Sequence, residues 1–186
     1  MTTQTANKIN GFDAAALKQV IRDVADDPSK AKVRFGVTTR WTGGTKSSTR
    51  VAGYEIGGQR VPRDFSIEID EPYELLGDNT QPNPQEMLMA AFNACMLVGY
   101  VAGASVQGVR LDSLEIETEG ELDLRGCLGI NASVKPGYDE IHYVVRIKGN
   151  GSREQFEDIH QTVMASSPNR WNIANPIKLT SELVVG

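Results

Sequence analysis

The run Asn83-Pro84-Gln85-Glu86-Met87-Leu88-Met89-Ala90-Ala91-Phe92-Asn93-Ala94-Cys95 constrains the fold more than any other stretch of the chain. Asn83 is a good helix N-cap, Pro84 has the φ that a first helical residue needs, and Glu86 closes a capping box with Asn83. No Gly or Pro follows until Gly99, and Gly108 is the expected stop. Met87 to Val106 is a twenty-residue run without charge, so this helix is either buried on several sides or long enough to cross a bilayer. Asn93, Ser105, five Ala and two Gly leave it only weakly apolar, and amphipathic strands follow at once, which favours burial in a protein core or between two subunits. Ala91, Cys95 and Gly99 recur every four residues, with Ala94 and Ala102 beside them and Gly103 extending the surface. That face lets another backbone or a small substrate come close. Cys95 sits about three turns in, beyond the reach of the helix dipole. If its thiol is reactive, another segment must activate it.

The 186 residues suit a single domain, 1–186, with an N-terminal arm and helix over 1–31 and a core over 32–186. A net charge of −5 with scattered Lys and Arg argues against a nucleic-acid surface, which needs clustered cations. Two cysteines, Cys95 and Cys127, and no signal-peptide pattern after Met1 fit a reducing cytoplasm and exclude a disulfide scaffold.

Residues 1–11 are polar and read as loose. Asp13 opens a helix with Leu17, Val20, Ile21 and Val24 on one face, ended by Asp26-Asp27-Pro28. Lys32 to Ile69 reads as a β-meander. Val33, Phe35 and Val37 alternate in one strand, Val51–Ile56 forms another, and Phe65, Ile67 and Ile69 lie in a third, with turns at Gly43-Gly44 and Gly57-Gly58. Beyond the long helix, Leu114 to Leu124 alternates with acidic residues, and Ile141, Tyr143, Val145 and Ile147 follow the Pro136-Gly137 turn. Ser152 and Gln155 form a second capping box. The helix behind it carries Phe156, Ile159, Val163 and Met164 and ends at Ser167-Pro168, and a closing strand uses Ile177, Leu179 and Leu183. Helix, three strands, long helix, two strands, helix, strand is an α+β order.

With its Asn-Pro-Gln-Glu opening and Asn-Ala-Cys ending, the long helix resembles the central helix of the OsmC/Ohr superfamily of hydroperoxide-reducing proteins. The likeness continues through Asp70-Glu71-Pro72 and Gly77, Leu114 to Leu124, Tyr138 to Lys148 and the closing helix and strand. It implies antiparallel sheets packed on two long helices in an intertwined homodimer, with the active sites at the subunit interface. It also implies that Cys95 attacks an organic hydroperoxide and becomes a sulfenic acid. The family's resolving cysteine stands in a Cys-Pro step after the last long helix, where this chain has Ser167-Pro168. A hydroxyl forms no disulfide, so an external thiol must complete the cycle. Cys127, in Leu124-Arg125-Gly126-Cys127-Leu128-Gly129, reads as a core cysteine at a strand end and not as a substitute.

The family activates its thiolate with an Arg held by a Glu. Glu86 is the nearest match to that carboxylate, although some members place it one residue earlier, where Gln85 stands. Glu86 also reads simply as a capping-box residue, and nine positions from Cys95 it points to the opposite side of the helix. Arg40 is the favoured cation and Arg63 its rival, while Asp70, Glu71 and Glu74 shape the loop above the helix. Gly43-Gly44-Thr45-Lys46-Ser47 lacks the spacing of a phosphate loop and reads as a turn. His142 and His160 with two distant cysteines are too few for a zinc site, Ser166 and Ser167 have no hydrolase setting, and Asn169-Arg170-Trp171-Asn172 either rims a pocket or buries the Trp ring. The expectation is a cytoplasmic homodimer that needs no metal or cofactor, binds neither membrane nor nucleic acid, and reduces an organic hydroperoxide with a thiol reductant. The alternative is a non-catalytic protein of the same fold that binds a small apolar ligand or serves as a scaffold.

Overall fold

The computed structural model describes residues 8–186. Contacts divide the chain into two compact units, one holding Asp13–Leu88 and the other Lys8–Phe12 with Met89–Gly186. The first unit begins with α1 (Ala14–Asp26), whose N-cap Asp13 accepts from the Ala16 amide and whose face carrying Val20 and Ile21 is exposed. Four strands follow: β1 (Val33–Phe35), β2 (Thr38–Gly43), β3 (Lys46–Ile56) and β4 (Gln59–Ile69). β3 is central and antiparallel to all three, with β1 and β2 pairing successive stretches of one edge and β4 the other. The expected turns are present. Ile56 pairs with Gln59 across Gly57-Gly58, whose φ values of 54° and 77° suit a two-residue hairpin turn. The strands run further than apolar alternation suggested, because the ladder continues through the hydroxylated stretch where Thr39 Oγ1 lies 2.8 Å from Thr49 Oγ1. Phe35 of β1 is 75 % and Trp41 of β2 77 % exposed.

Asp70 organises the loop that leads into α2 (Pro84–Val106). It is fully buried and accepts from the Thr45 and Thr80 hydroxyls at 2.7 and 2.8 Å and from the amides of Glu71, Asp78 and Thr80. α2 opens as expected: the Glu86 amide donates to Asn83 Oδ1 at 2.8 Å and the Asn83 amide to Glu86 Oε2 at 2.7 Å. It closes when Gly108 turns to φ 75° and the Val109 amide reaches back to the Ala104 carbonyl at 2.8 Å.

The second unit pairs β5 (Leu111–Gly120) with β6 (Ile141–Gly149), antiparallel, and adds α3 (Leu124–Cys127), α4 (Arg153–Ser166) and α5 (Pro168–Ala174). Its core is a ridge of α2, Phe92, Met96, Tyr100 and Ala104, packed with Val109, Ile159 and Val163 and backed by Ile116, Tyr143, Val145 and Ile147 of the sheet. The ridge beside it meets α4: a Cβ added at Gly99 would lie 3.1 Å from Val163 Cγ2, and one at Gly103 would lie 3.1 Å from Ile159 Cγ2. The small-residue face is thus used within the unit, as a groove for the β-branched side chains of α4. α2 has the length and hydropathy of a bilayer span, yet Asn93 bonds to Ile116 O and Thr118 Oγ1 of β5 and ties the helix to the sheet.

Three expectations are corrected. Residues 8–12 are ordered: Asn10, at φ 55°, donates to Val109 O at 2.9 Å and to Ser105 Oγ, and accepts from the Leu111 amide. Residues 1–7 lie outside the described part. Cys127 is exposed on a short helix and is not a core residue, because Asp123 caps α3 and ends the strand reading before Leu124. The closing strand does not form among the described residues: 175–186 join no ladder there, and Leu179, Leu183, Val184 and Val185 are exposed.

Candidate functional site around Cys95

Cys95 is half-buried on the α2 ridge that carries Gly99 and Gly103, and its position follows from the packing of α4 into their groove. α4 starts at the Ser152–Gln155 capping box and ends at Ser166. Pro168 cannot continue it and instead starts α5, so Ser167 is both the last cap of α4 and the N-cap of α5. That corner faces Cys95. The Ser167 hydroxyl donates to Cys95 Sγ at 3.5 Å, accepts from the Arg170 amide at 3.4 Å, and is 7 % exposed.

The corner is held from several directions. Asn169 Nδ2 donates to the Ala91 carbonyl at 2.8 Å, which fastens α5 to α2 one turn before Cys95. The Arg170 guanidinium donates to the Met164 carbonyl at 2.9 Å and to the Tyr143 hydroxyl at 3.4 Å. Tyr143 in turn packs edge-on against Phe92 at 5.1 Å between ring centroids. Cys95, Ser167, Arg170 and Tyr143 therefore belong to one connected set. Asn169 and Arg170 were visible only as a polar cluster after Pro168; two helices and a strand must be placed before their roles show. Trp171 of that cluster is exposed, which removes the reading of a buried ring.

Beside this set lies a cavity of ≈ 670 Å³ walled by Tyr143, Val145, Ile147, Phe156 and Met164, with Tyr100 and His160 among its lining. Tyr100 is 1 % exposed and its hydroxyl lies 2.5 Å from His160 Nδ1. Burial, with a smaller contribution from Tyr143, pushes the Tyr100 phenol up to about 12, so it remains an O–H at neutral pH.

Arg40 and Glu86 lie in the other unit. Arg40 stands opposite Ser48 on β2 and makes no ion pair among the described residues. Glu86 is engaged by Asn83. Arg63 stacks over Phe65 at 4.7 Å and Tyr54 at 5.8 Å. Of the loop residues, Asp70 has the shaping role expected, and the Thr45 hydroxyl, with further donors from Thr80 and Glu71, holds its carboxyl well below the usual carboxylate range. Glu71 is pushed the other way, first by burial and then by the charges of Asp70 and Glu86, and its Oε2 is buried without a hydrogen-bond partner. No metal-binding cluster of His, Cys, Asp and Glu occurs among the described residues.

The sequence model of the OsmC-like proteins matches residues 77–182, more than half of the chain, and the chain belongs to this family. Its fold is similar to that of an OsmC-like protein from Mycoplasma pneumoniae, at 14 % identity and a TM-score of 0.60 over 76 % of this chain and 87 % of that one. It is also similar to an OsmC-like protein of unknown function from Vibrio cholerae, at 14 % identity and a TM-score of 0.51 over 74 % and 91 % of the two chains. A comparison with curated proteins returned no match.

Proposed function

We propose that this protein reduces organic hydroperoxides through Cys95 as its single redox-active thiol, with a small external thiol as reductant, in the cytoplasm and without metal or cofactor. Membership of the OsmC-like family supports a redox role toward peroxides. The observation that carries the finer reading is the partner of Cys95: its Sγ faces the Ser167 hydroxyl, while Cys127 stands exposed on α3. Among the described residues the thiol therefore has a fixed polar neighbour and no disulfide partner. In this reading Arg40 supplies the cation and Glu86 the carboxylate that holds it, in a site completed by a homodimer. The exposed Phe35 and Trp41 of the first unit and the exposed Val98 of α2 support that assembly.

Treatment with one equivalent of cumene hydroperoxide, trapping with dimedone and peptide mass mapping test the proposal. A sulfenic adduct on Cys95 formed within seconds is expected; an unmodified Cys95 overturns it. The cavity beside Tyr100 and His160 favours a second reading, a carrier of a small apolar ligand. That reading predicts saturable binding of a probe such as decanoate together with an unreactive Cys95.

A further inference from the structure

We propose that Ser167 sets the reactivity of Cys95 and then holds its oxidised form, in place of a second thiol. This rests on the single-thiol reading above. The N-cap role of Ser167 commits the hydroxyl oxygen to the Arg170 amide, so its proton turns away from α5 and is donated to Cys95 Sγ. Among the described residues that proton has no other acceptor. The hydroxyl is also fixed in place. The Ser167 amide donates to Val163 O at 2.9 Å, Asn169 bonds the α2 backbone, and the Arg170 guanidinium spans Met164 O and the Tyr143 hydroxyl. Arg170 and Asn169 are positioning residues, and Ser167 is the group that touches the reacting sulfur.

A fixed donor favours the charged form of its acceptor, so the contact strengthens when the thiol ionises. In the oxidation step the thiolate attacks the distal oxygen of R–O–O–H. An S–O bond forms, the O–O bond breaks, the sulfur loses two electrons, and the alkoxide leaves and takes a proton from water. The same hydroxyl then faces a sulfenic oxygen. It cannot condense with it, so the sulfenic acid persists until a small thiol attacks, releasing water and forming a mixed disulfide. A second equivalent of that thiol regenerates Cys95 and leaves the oxidised thiol pair.

The test separates this role from simple packing by the sign of its pH dependence. If the hydroxyl raises the thiolate fraction tenfold at neutral pH, the accompanying loss of intrinsic nucleophilicity, with a Brønsted slope of about 0.45, leaves a net gain of about threefold. At high pH every thiol is ionised and only the loss remains. Iodoacetamide alkylation of Cys95 should therefore be about threefold slower in Ser167→Ala than in the wild type at pH 7, and about threefold faster at pH 10. A rate ratio with the same sign at both pH values, or no difference, overturns the inference. In Ser167→Cys, cumene hydroperoxide should convert the dimedone-trappable state into a disulfide between Cys95 and the introduced thiol; failure to close it overturns the placement. Alkylation needs no peroxide, so an inert wild type that still shows the crossover removes the peroxidase reading alone and leaves the Ser167 effect on reactivity standing.

Discussion

Exchange of a methyl group across the α2–α4 contact should show whether the groove that positions Cys95 is built as described. Val163 is 2 % exposed, and its two γ-methyls lie 3.1 and 3.3 Å from where a Cβ on Gly99 would stand. Val163→Ala removes both methyls, about 1.6 kcal/mol of transfer energy at about 0.8 kcal/mol per group, and the residual cavity brings the cost to about 2.5 kcal/mol. Gly99→Ala gains about 1 kcal/mol of helix propensity, but it presses on a side chain without room to move, and overpacking of about 2 kcal/mol leaves a net cost near 1 kcal/mol. Added together, the single changes cost about 3.5 kcal/mol. In the double variant the new methyl stands where the valine methyls were, the clash is gone and the propensity gain is kept, so the cost falls to about 1.5 kcal/mol. The coupling of about 2 kcal/mol lies within the range seen for residues in contact. Urea denaturation at one protein concentration, with the slopes checked for constancy, measures all four proteins. Additivity to within about 0.5 kcal/mol would mean that the helices do not meet at this point, and the placement of Ser167 over Cys95 would fall with it.

Asp70→Asn should destabilise the protein near neutral pH. Because the folded carboxyl titrates below its unfolded value of 3.8, that contribution is present above about pH 4 and is lost as the pH falls through the lower, folded range. Thermal melts of both proteins at pH 6 and about pH 2.5 should show a smaller gap at the lower pH; a gap of equal size at both would refute the linkage. Glu71 has the opposite sign: its folded carboxyl titrates above the unfolded value of 4.5, so its ionisation works against the fold at neutral pH and the effect is relieved on acidification. Glu71→Gln should accordingly raise the melting temperature at pH 7 and change it little near pH 4, and a lower melting temperature at pH 7 would contradict the unpartnered Oε2. Light scattering at micromolar concentration should return twice the 20.3 kDa chain mass, and a monomer would remove the dimer from the proposed function.

What could be read from the sequence divides by the range of the interaction. The start of α2 was visible because Asn83, Pro84 and Glu86 settle it within four residues, and the start of α4 because Ser152 and Gln155 do the same. β5 and β6 were visible in their alternation, since one face packs on α2. Thr38–Gly43 and the first half of β3 carry few apolar residues, and only the ladder shows them to be strands. Residues 177–185 make the converse point: Ile177, Leu179 and Leu183 alternate as a strand should, yet alternation provides no partner edge. Cys127 was misplaced because Asp123 was read as one of the outward acids of a strand when it caps a helix. At the site, the importance of Cys95 came from the resemblance. Its contact with Ser167, 72 residues away, needs the packing of three helices before it exists, and the anchoring role of Arg170 needs the tertiary placement of Tyr143 as well.

Asn10 sets a schedule for biosynthesis. Its hydrogen bonds join it to partners 95 to 101 residues later in the chain, so residues 8–12 leave the ribosome long before the segment they fasten to. At a synthesis rate of about 5–20 residues per second, that segment follows roughly 5–20 s afterwards. During this interval the whole of Asp13–Leu88, all of whose strand pairings lie within itself, is already available to fold. The first-made residues of the second unit thus wait for the end of α2 and the start of β5, and the Cys95 neighbourhood is complete only when Tyr143, Ser167 and Arg170 have also emerged. A nascent chain halted before β6 would carry a formed meander and an exposed α2, which makes this stage of synthesis the one most open to capture by chaperones.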